Sequence, residues 1–156
     1  MSQTVLIETS VISYLNSNLS RNLVTAAYQQ ITQDWWNEKR LDFRCFISEY
    51  ILHEISRGNP EQVEKRLKSV EGLEILEGNQ EIIDLAGIYL EKLDIPERSQ
   101  LDAFHIAIGS YFRIDYIISW NFKHIANARI SRKLQELNQE LRIKSPILCS
   151  PSELME

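Results

Sequence analysis

The chain has 156 residues, 44% of them hydrophobic and 25% charged, which suits one compact domain over 1–156 around a single core rather than two domains or a disordered chain. No apolar run approaches the roughly 20 residues of a membrane span, and Met1-Ser2-Gln3 opens without a basic and then hydrophobic signal region, so a cytoplasmic protein away from the membrane is expected. The formal net charge of -5 is unevenly spread: residues 112–150 carry 7 Lys/Arg against 3 Asp/Glu, leaving 10 against 19 elsewhere.

The first predicted element is a strand over 4–7, "TVLI", which ends on Glu8. Thr9 and Ser10 then open a helix. Residues 20–40, with Leu23, Ala26, Ala27, Ile31 and Trp35 near helical spacing, read as a second helix that Ser20 can cap. "FRCFI" over 43–47 is the next strand, and "SEYILHEISRG" behind it is a helix that carries Glu54. Pro60 suits the first turn of "PEQVEKRLKSV". A strand "LEIL" over 73–76 precedes a helix over 79–94 marked by Ile82, Ile83, Ala86 and Leu90. Pro96 separates this helix from "QLDAFHIAIGSYF", which Ser99 precedes. "YIIS" over 116–119 and "PILC" over 146–149 close the set of strands, with "NFKHIAN" able to begin a short helix between them. Strands separated by helices imply right-handed crossovers and an α/β fold with a mostly parallel central sheet covered by helices on both faces.

Several chemistries find no support. Cys45 and Cys149 are far apart, with no CxxC and no Cys/His cluster, so they read as reduced, buried thiols rather than a disulfide or a zinc site. There is no GxGxxG and no GxxxxGK[ST]. No Ser-His-Asp or Cys-His grouping can be inferred, which leaves covalent catalysis without a nucleophile.

What stands out is acidic. Ligands of open α/β sheets gather beyond the carboxyl ends of the strands, and Glu8 and Asn121 both follow strands there. Glu8 can equally be a carboxylate at a helix N-terminus, and Asn121 a helix cap. Asp102 lies in a helix apolar around most of its circumference, where a carboxylate needs a partner; either Ser99 and Asp102 form a capping box or Asp102 holds a metal. His105, three residues on, shares its face and reads as a hydrogen-bonded group supporting the site. Glu54 either pairs with Arg57 or joins the acids. His53, His124 and Asn127 say little alone, and Trp35, Trp36 and Trp120 read as core or interface residues. Oxygen-only ligation by Glu8, Glu54 and Asp102 selects a hard cation, Mg²⁺ or Mn²⁺, and points to phosphoryl chemistry. The basic segment with Lys123, Arg129, Arg132 and Lys133 reads as a surface that can attract the phosphates of a nucleic acid or as a solvated helix of mixed charge.

The segments "LIETSVISYL", "HEISRG", "LDAFHIAIG" and "SWNFKHIAN", in this order and on this pattern of strands and helices, resemble the PIN domain of VapC-type toxins. The resemblance covers nearly the whole chain. It implies a Rossmann-like three-layer sandwich, Mg²⁺- or Mn²⁺-dependent cleavage of RNA, frequent homodimers and a cognate antitoxin. The family's acidic quartet falls on Glu8, Glu54, Asp102 and Asn121, and its small supporting residue on Ser10. Two positions depart from that pattern. Glu8 replaces Asp, a carboxylate about 1.5 Å further out, and Asn121 replaces an Asp, with loss of one charge. The expected function is a metal-dependent endoribonuclease in which Glu8 and Asp102 ligate the metal, Glu54 completes the cluster or activates water, Asn121 holds a ligand water or a second, weaker ion, and Lys123, Arg129, Arg132 and Lys133 guide the RNA. The alternative is a degenerate PIN fold that binds RNA or a protein without catalysis. The helices containing Trp35, Trp36 and Tyr89 are candidates for an apolar dimer face.

Overall fold

The computed structural model describes residues 2–156. Five strands, β1 (Thr4–Ile7), β2 (Arg44–Ser48), β3 (Glu74–Leu76), β4 (Tyr116–Ile118) and β5 (Ile147–Cys149), form one sheet in the order β3-β2-β1-β4-β5. Every neighbouring pair is parallel. The strands are short runs rich in Ile, Val and Leu, and Val5, Leu6, Ile7, Ile47, Ile117 and Ile118 have no solvent exposure, as a sheet buried on both faces requires.

Seven helices connect the strands: α1 (Thr9–Asn16), α2 (Leu23–Glu38), α3 (Glu49–Ile55), α4 (Pro60–Ser69), α5 (Gln80–Lys92), α6 (Gln100–Tyr111) and α7 (Ala128–Leu141). From β1 the chain moves outward to β2 and β3, then returns to pair β4 with the other side of β1. Right-handed crossovers in opposite directions put the two sets of helices on opposite faces. The packing agrees, since α1 touches α2 and α4, whereas α5 packs on α6 and α7.

Local chemistry explains most helix starts. Side chains of Ser48, Asn59, Asn79 and Asn127 accept backbone N–H groups at the starts of α3, α4, α5 and α7, and Pro60 occupies the first turn of α4. Two expectations are corrected. The cap of α2 is Asn22, not Ser20; Ser20 Oγ instead accepts the Asn22 N–H at 3.1 Å and shapes the approach. "NFKHIAN" is a hydrogen-bonded turn rather than a helix, because the Asn121 carbonyl takes the N–H groups of both Ile125 and Ala126. Trp35 and Tyr89 are fully buried, and the outward apolar residues of their helices are Leu23 and Val24 on α2 and Ile83 and Ile88 on α5.

Both cysteines are free and buried. Burial pushes the Cys45 thiol up to about 11, against a smaller opposing effect of Arg40, and the Cys149 thiol up to about 12. They are packing groups at neutral pH.

Candidate metal centre at the carboxyl edge of the sheet

The chain reverses its direction of travel across the sheet between β1 and β4, and a crevice at such a switch point is where open α/β sheets bind ligands. Glu8 stands there. Its N–H donates to Ile118 O at 3.1 Å, extending the β1–β4 ladder by one residue, and its extended backbone turns the chain into α1. The side chain is 5% exposed. Oε1 accepts from Ser10 N at 3.2 Å, Ser10 Oγ at 2.5 Å and Ser119 Oγ at 2.6 Å. All three bonds fall on one oxygen, so the carboxylate is oriented while Oε2 is left for another partner.

Glu54 reaches the same place from α3. Its Oε1 accepts from Thr9 Oγ1 at 2.6 Å and lies 2.8 Å from His105 Nε2. The pairing with Arg57 does not form through side chains; Arg57 meets Glu54 only through its backbone N–H. Burial pushes the Glu54 carboxyl up, but the His105 and Thr9 hydrogen bonds and the nearby imidazoles outweigh it and hold it below the usual range.

His105 is wholly buried on α6. Burial draws its pKa down, whereas the bond to Glu54 and the charges of Glu8, Glu54 and Asp102 raise it, and the sum is upward. Its Nδ1 has no hydrogen-bond partner. A metal-bound Nε2 would require a proton on that orphaned Nδ1, so the geometry favours Nε2–H donating to Glu54 and holding that carboxylate in place.

Asp102 stands one turn earlier on α6. Ser99 makes no side-chain cap, so the capping box does not form, and Asp102 Oδ2 instead lies 2.8 Å from His124 Nδ1. His124 is held in turn by Asn121, whose Oδ1 accepts the N–H groups of Lys123 at 3.1 Å and His124 at 3.0 Å. Asn121 thus uses its side-chain oxygen to close the turn after β4. Its own N–H donates to Ser119 Oγ at 2.9 Å, which ties this turn to Glu8.

Ligand atoms of Glu8, Glu54 and His105 lie within 4.8 Å of one another. The structure therefore brings together two of the three acids expected at the metal. The third, Asp102, is paired with His124 beside them. Two carboxylates, one of them buried, at a strand edge with hydroxyl support fit a hard dication. The basic residues divide. Arg132 pairs with Glu136 at 3.4 Å and Lys133 with Asp94 at 2.7 Å, whereas Lys123 and Arg129 are exposed without a carboxylate partner among the described residues.

Sequence reasoning did not single out Thr9 and Ser119 as ligands of the acids or His124 as the partner of Asp102. Thr9 was visible only as a neighbour of Glu8. Ser119 and His124 follow β4, and only the pairing of β4 with β1 brings them to the site.

No protein-family model matches this chain, and no curated protein matches it significantly. Solved structures do. Over 76% of this chain and 91% of the other, the fold matches Mycobacterium tuberculosis VapC20, described as a Sarcin-Ricin loop cleaving toxin, with a TM-score of 0.57 and 15% identity. Over 78% of this chain and 90% of the other, it matches VapBC2 from Rickettsia felis, bound to a DNA fragment from their promoter, with a TM-score of 0.52 and 14% identity. With its all-parallel sheet, its two helical layers and these neighbours, the chain has the VapC-like PIN fold that the four sequence segments led us to expect.

Proposed function

We propose that this chain is a metal-dependent endoribonuclease of PIN type, the toxin of a toxin–antitoxin pair, which hydrolyses RNA phosphodiester bonds. One observation carries the reading. Glu8 is buried at the switch point with another carboxylate beside it, and no Lys or Arg pairs with Glu8, Glu54 or Asp102 among the described residues. A buried acid with no permanent cation beside it is costly, and coordination of a metal is one way to offset that cost. The description of VapC20 as a Sarcin-Ricin loop cleaving toxin supports the substrate, and the VapBC2 complex supports a cognate antitoxin as partner. A homodimer belongs to the same reading.

Glu8 and Glu54 would hold Mg²⁺ or Mn²⁺, with Asp102 as the further acid at the site. A bound dication there supplies charge stabilisation to a phosphate and polarises water. The chain's own groups do the positioning. Ser10 and Ser119 fix Glu8, Thr9 and His105 fix Glu54, and His124 holds Asp102. Asn121 sets the turn that presents Lys123. Lys123 and Arg129, free of carboxylates, are the cations for the RNA phosphates; Arg132 and Lys133 contribute less because each already has a partner.

A second reading, a PIN fold that binds RNA or protein without catalysis, is favoured by one feature. The Asn121 oxygen is occupied by two backbone N–H groups and the Asp102 carboxylate by His124, so two of the four expected acidic positions are committed elsewhere. Calorimetry with Mn²⁺ separates the readings. The nuclease reading requires binding that Glu8→Gln removes; no binding at millimolar metal, with RNA binding intact, supports the second.

A further inference from the structure

Four aromatic rings form a ladder from the core to the rim of the carboxyl edge. Trp120 is buried, and its indole N–H donates to Thr32 Oγ1 at 2.8 Å. Tyr14 stacks on it with centroids 6.2 Å apart, and Tyr28 with centroids 4.3 Å apart and planes at 20°. Phe122 ends the ladder, tilted against Tyr28 at 5.6 Å and edge-on to Trp120 at 5.9 Å. Its side chain remains on the surface, the residue being 44% exposed.

A half-exposed aromatic ring is ordinary in itself. Its setting is not. The Phe122 N–H donates to Trp120 O at 3.1 Å, and its carbonyl accepts Asn127 Nδ2 at 2.8 Å, so the backbone that carries the ring is held from both sides. Trp120 N donates to Ser10 Oγ at 2.8 Å, and Ser10 Oγ donates to Glu8, which puts the ring two residues from the bonds that orient the buried acid. Lys123 follows it directly. Arg129 lies in the first turn of α7, capped by the same Asn127 that holds the Phe122 carbonyl. An acid pair, two cations without a carboxylate partner among the described residues and a pre-ordered ring therefore gather at the carboxyl ends of β1 and β4.

We infer that Phe122 stacks on an unpaired base of the RNA next to the phosphate that a dication at Glu8 and Glu54 would hold, so that this ring makes the rim prefer an unpaired base to a paired one; this rests on the nuclease reading for the place of the phosphate. A strand along this edge puts phosphates on Lys123 and Arg129 and a base face on the ring. A ring already fixed by Tyr28 and Trp120 loses little freedom on stacking. In a duplex the base faces are already stacked on one another, and the ring has nothing to meet.

The test uses the full chain with Mn²⁺ present and Asp102→Asn in every protein, wild type at 122 included, so that Glu8 and Glu54 keep the metal while cleavage is suppressed, and an oligoribonucleotide carrying one 2-aminopurine, single-stranded or annealed to its complement. Phe122→Leu keeps apolar bulk against Tyr28 and Trp120 but removes the π-face; Phe122→Trp keeps it. The expected result is quenching by wild type and by Phe122→Trp, and about tenfold or greater weakening of single-strand binding in Phe122→Leu with duplex binding unmoved. Equal binding and quenching by Phe122→Leu overturns the inference, as does an equal loss for single strand and duplex. Cleavage with Mn²⁺ is measured separately. A protein that cleaves RNA but binds it independently of Phe122 defeats this inference alone, and one that never cleaves but binds through Phe122 defeats the nuclease reading alone.

Discussion

Glu8 carries one methylene more than Asp would, and the structure accommodates the length by anchoring Oε1 with Ser10 and Ser119 rather than by moving the backbone, which stays in the β1–β4 ladder. Ser119 is the longer-range half of this clamp, 111 residues from Glu8 in the sequence. Ser119→Ala is expected to weaken Mn²⁺ binding by about 10- to 100-fold, the usual effect of removing a group that orients a ligand. Calorimetry at fixed pH measures it, and unchanged affinity would contradict the proposed clamp. Glu8 and Asp102 could be picked out from sequence because a charge beside an apolar run is conspicuous, whereas Glu54 could equally have been an exposed partner of Arg57. Thr9, Ser119 and His124 could not, since a hydroxyl or imidazole shows its purpose only once the strand order places it. Asn121 lay between: its residue type suits both a cap and a ligand, and the structure uses its side-chain oxygen to close the turn after β4.

The element that brings Asp102 and His105 to the edge is α6, and its closeness to the sheet depends on Gly109. A Cβ there would lie 2.5 Å from Ile117 Cδ1 and 3.0 Å from its Cγ1, and Ile117 is fully buried. Ala for Gly gains about 0.8–1 kcal/mol of helix propensity, but overpacking costs about 1–3 kcal/mol, so Gly109→Ala should destabilise by about 1 kcal/mol. Gly87 on α5 is exposed, with nothing within 4 Å of its added Cβ, so Gly87→Ala should stabilise by about 0.5–1 kcal/mol. Urea midpoints of the two variants should move in opposite directions at constant slope; movement in the same direction would contradict this packing. Strands and helices were legible at this scale because each strand is a short apolar run and each helix a longer periodic one. Their ends were less so. Ser20 and Asn22 are both good caps, and only the start of α2 at Leu23 decides between them.

Across the whole molecule the strand order builds two edges of different character. The carboxyl edge gathers the acids. At the amino edge Asp115 ties β1, β4 and the approach to β5 together: Oδ2 accepts from Thr4 N at 2.8 Å and Thr4 Oγ1 at 3.1 Å, and Oδ1 accepts from Lys144. The Lys144 bond first, then the Thr4 N–H, holds the Asp115 carboxyl below its ordinary 3.8. A folded-state pKa that is depressed gives stability fully present above the unfolded value and lost as pH falls through the folded one. The stability difference between wild type and Asp115→Asn should therefore shrink as pH is lowered from 5 to below about 3.8; a difference constant over that range would contradict the clasp. The parallel sheet was legible from the alternation of strands and helices. The order β3-β2-β1-β4-β5 was not derivable from that alternation, because a helical crossover of given length can reach either neighbour; only the structure supplies it. The central claim is that this order assembles a metal-dependent RNA-cleaving centre around Glu8. Its most direct test is RNA cleavage with Mn²⁺ or Mg²⁺ by wild type, Glu8→Gln and Asp102→Asn. The account predicts cleavage that EDTA abolishes and that each substitution reduces by about 100-fold or more. Cleavage in EDTA, or at the wild-type rate in Glu8→Gln, would contradict it.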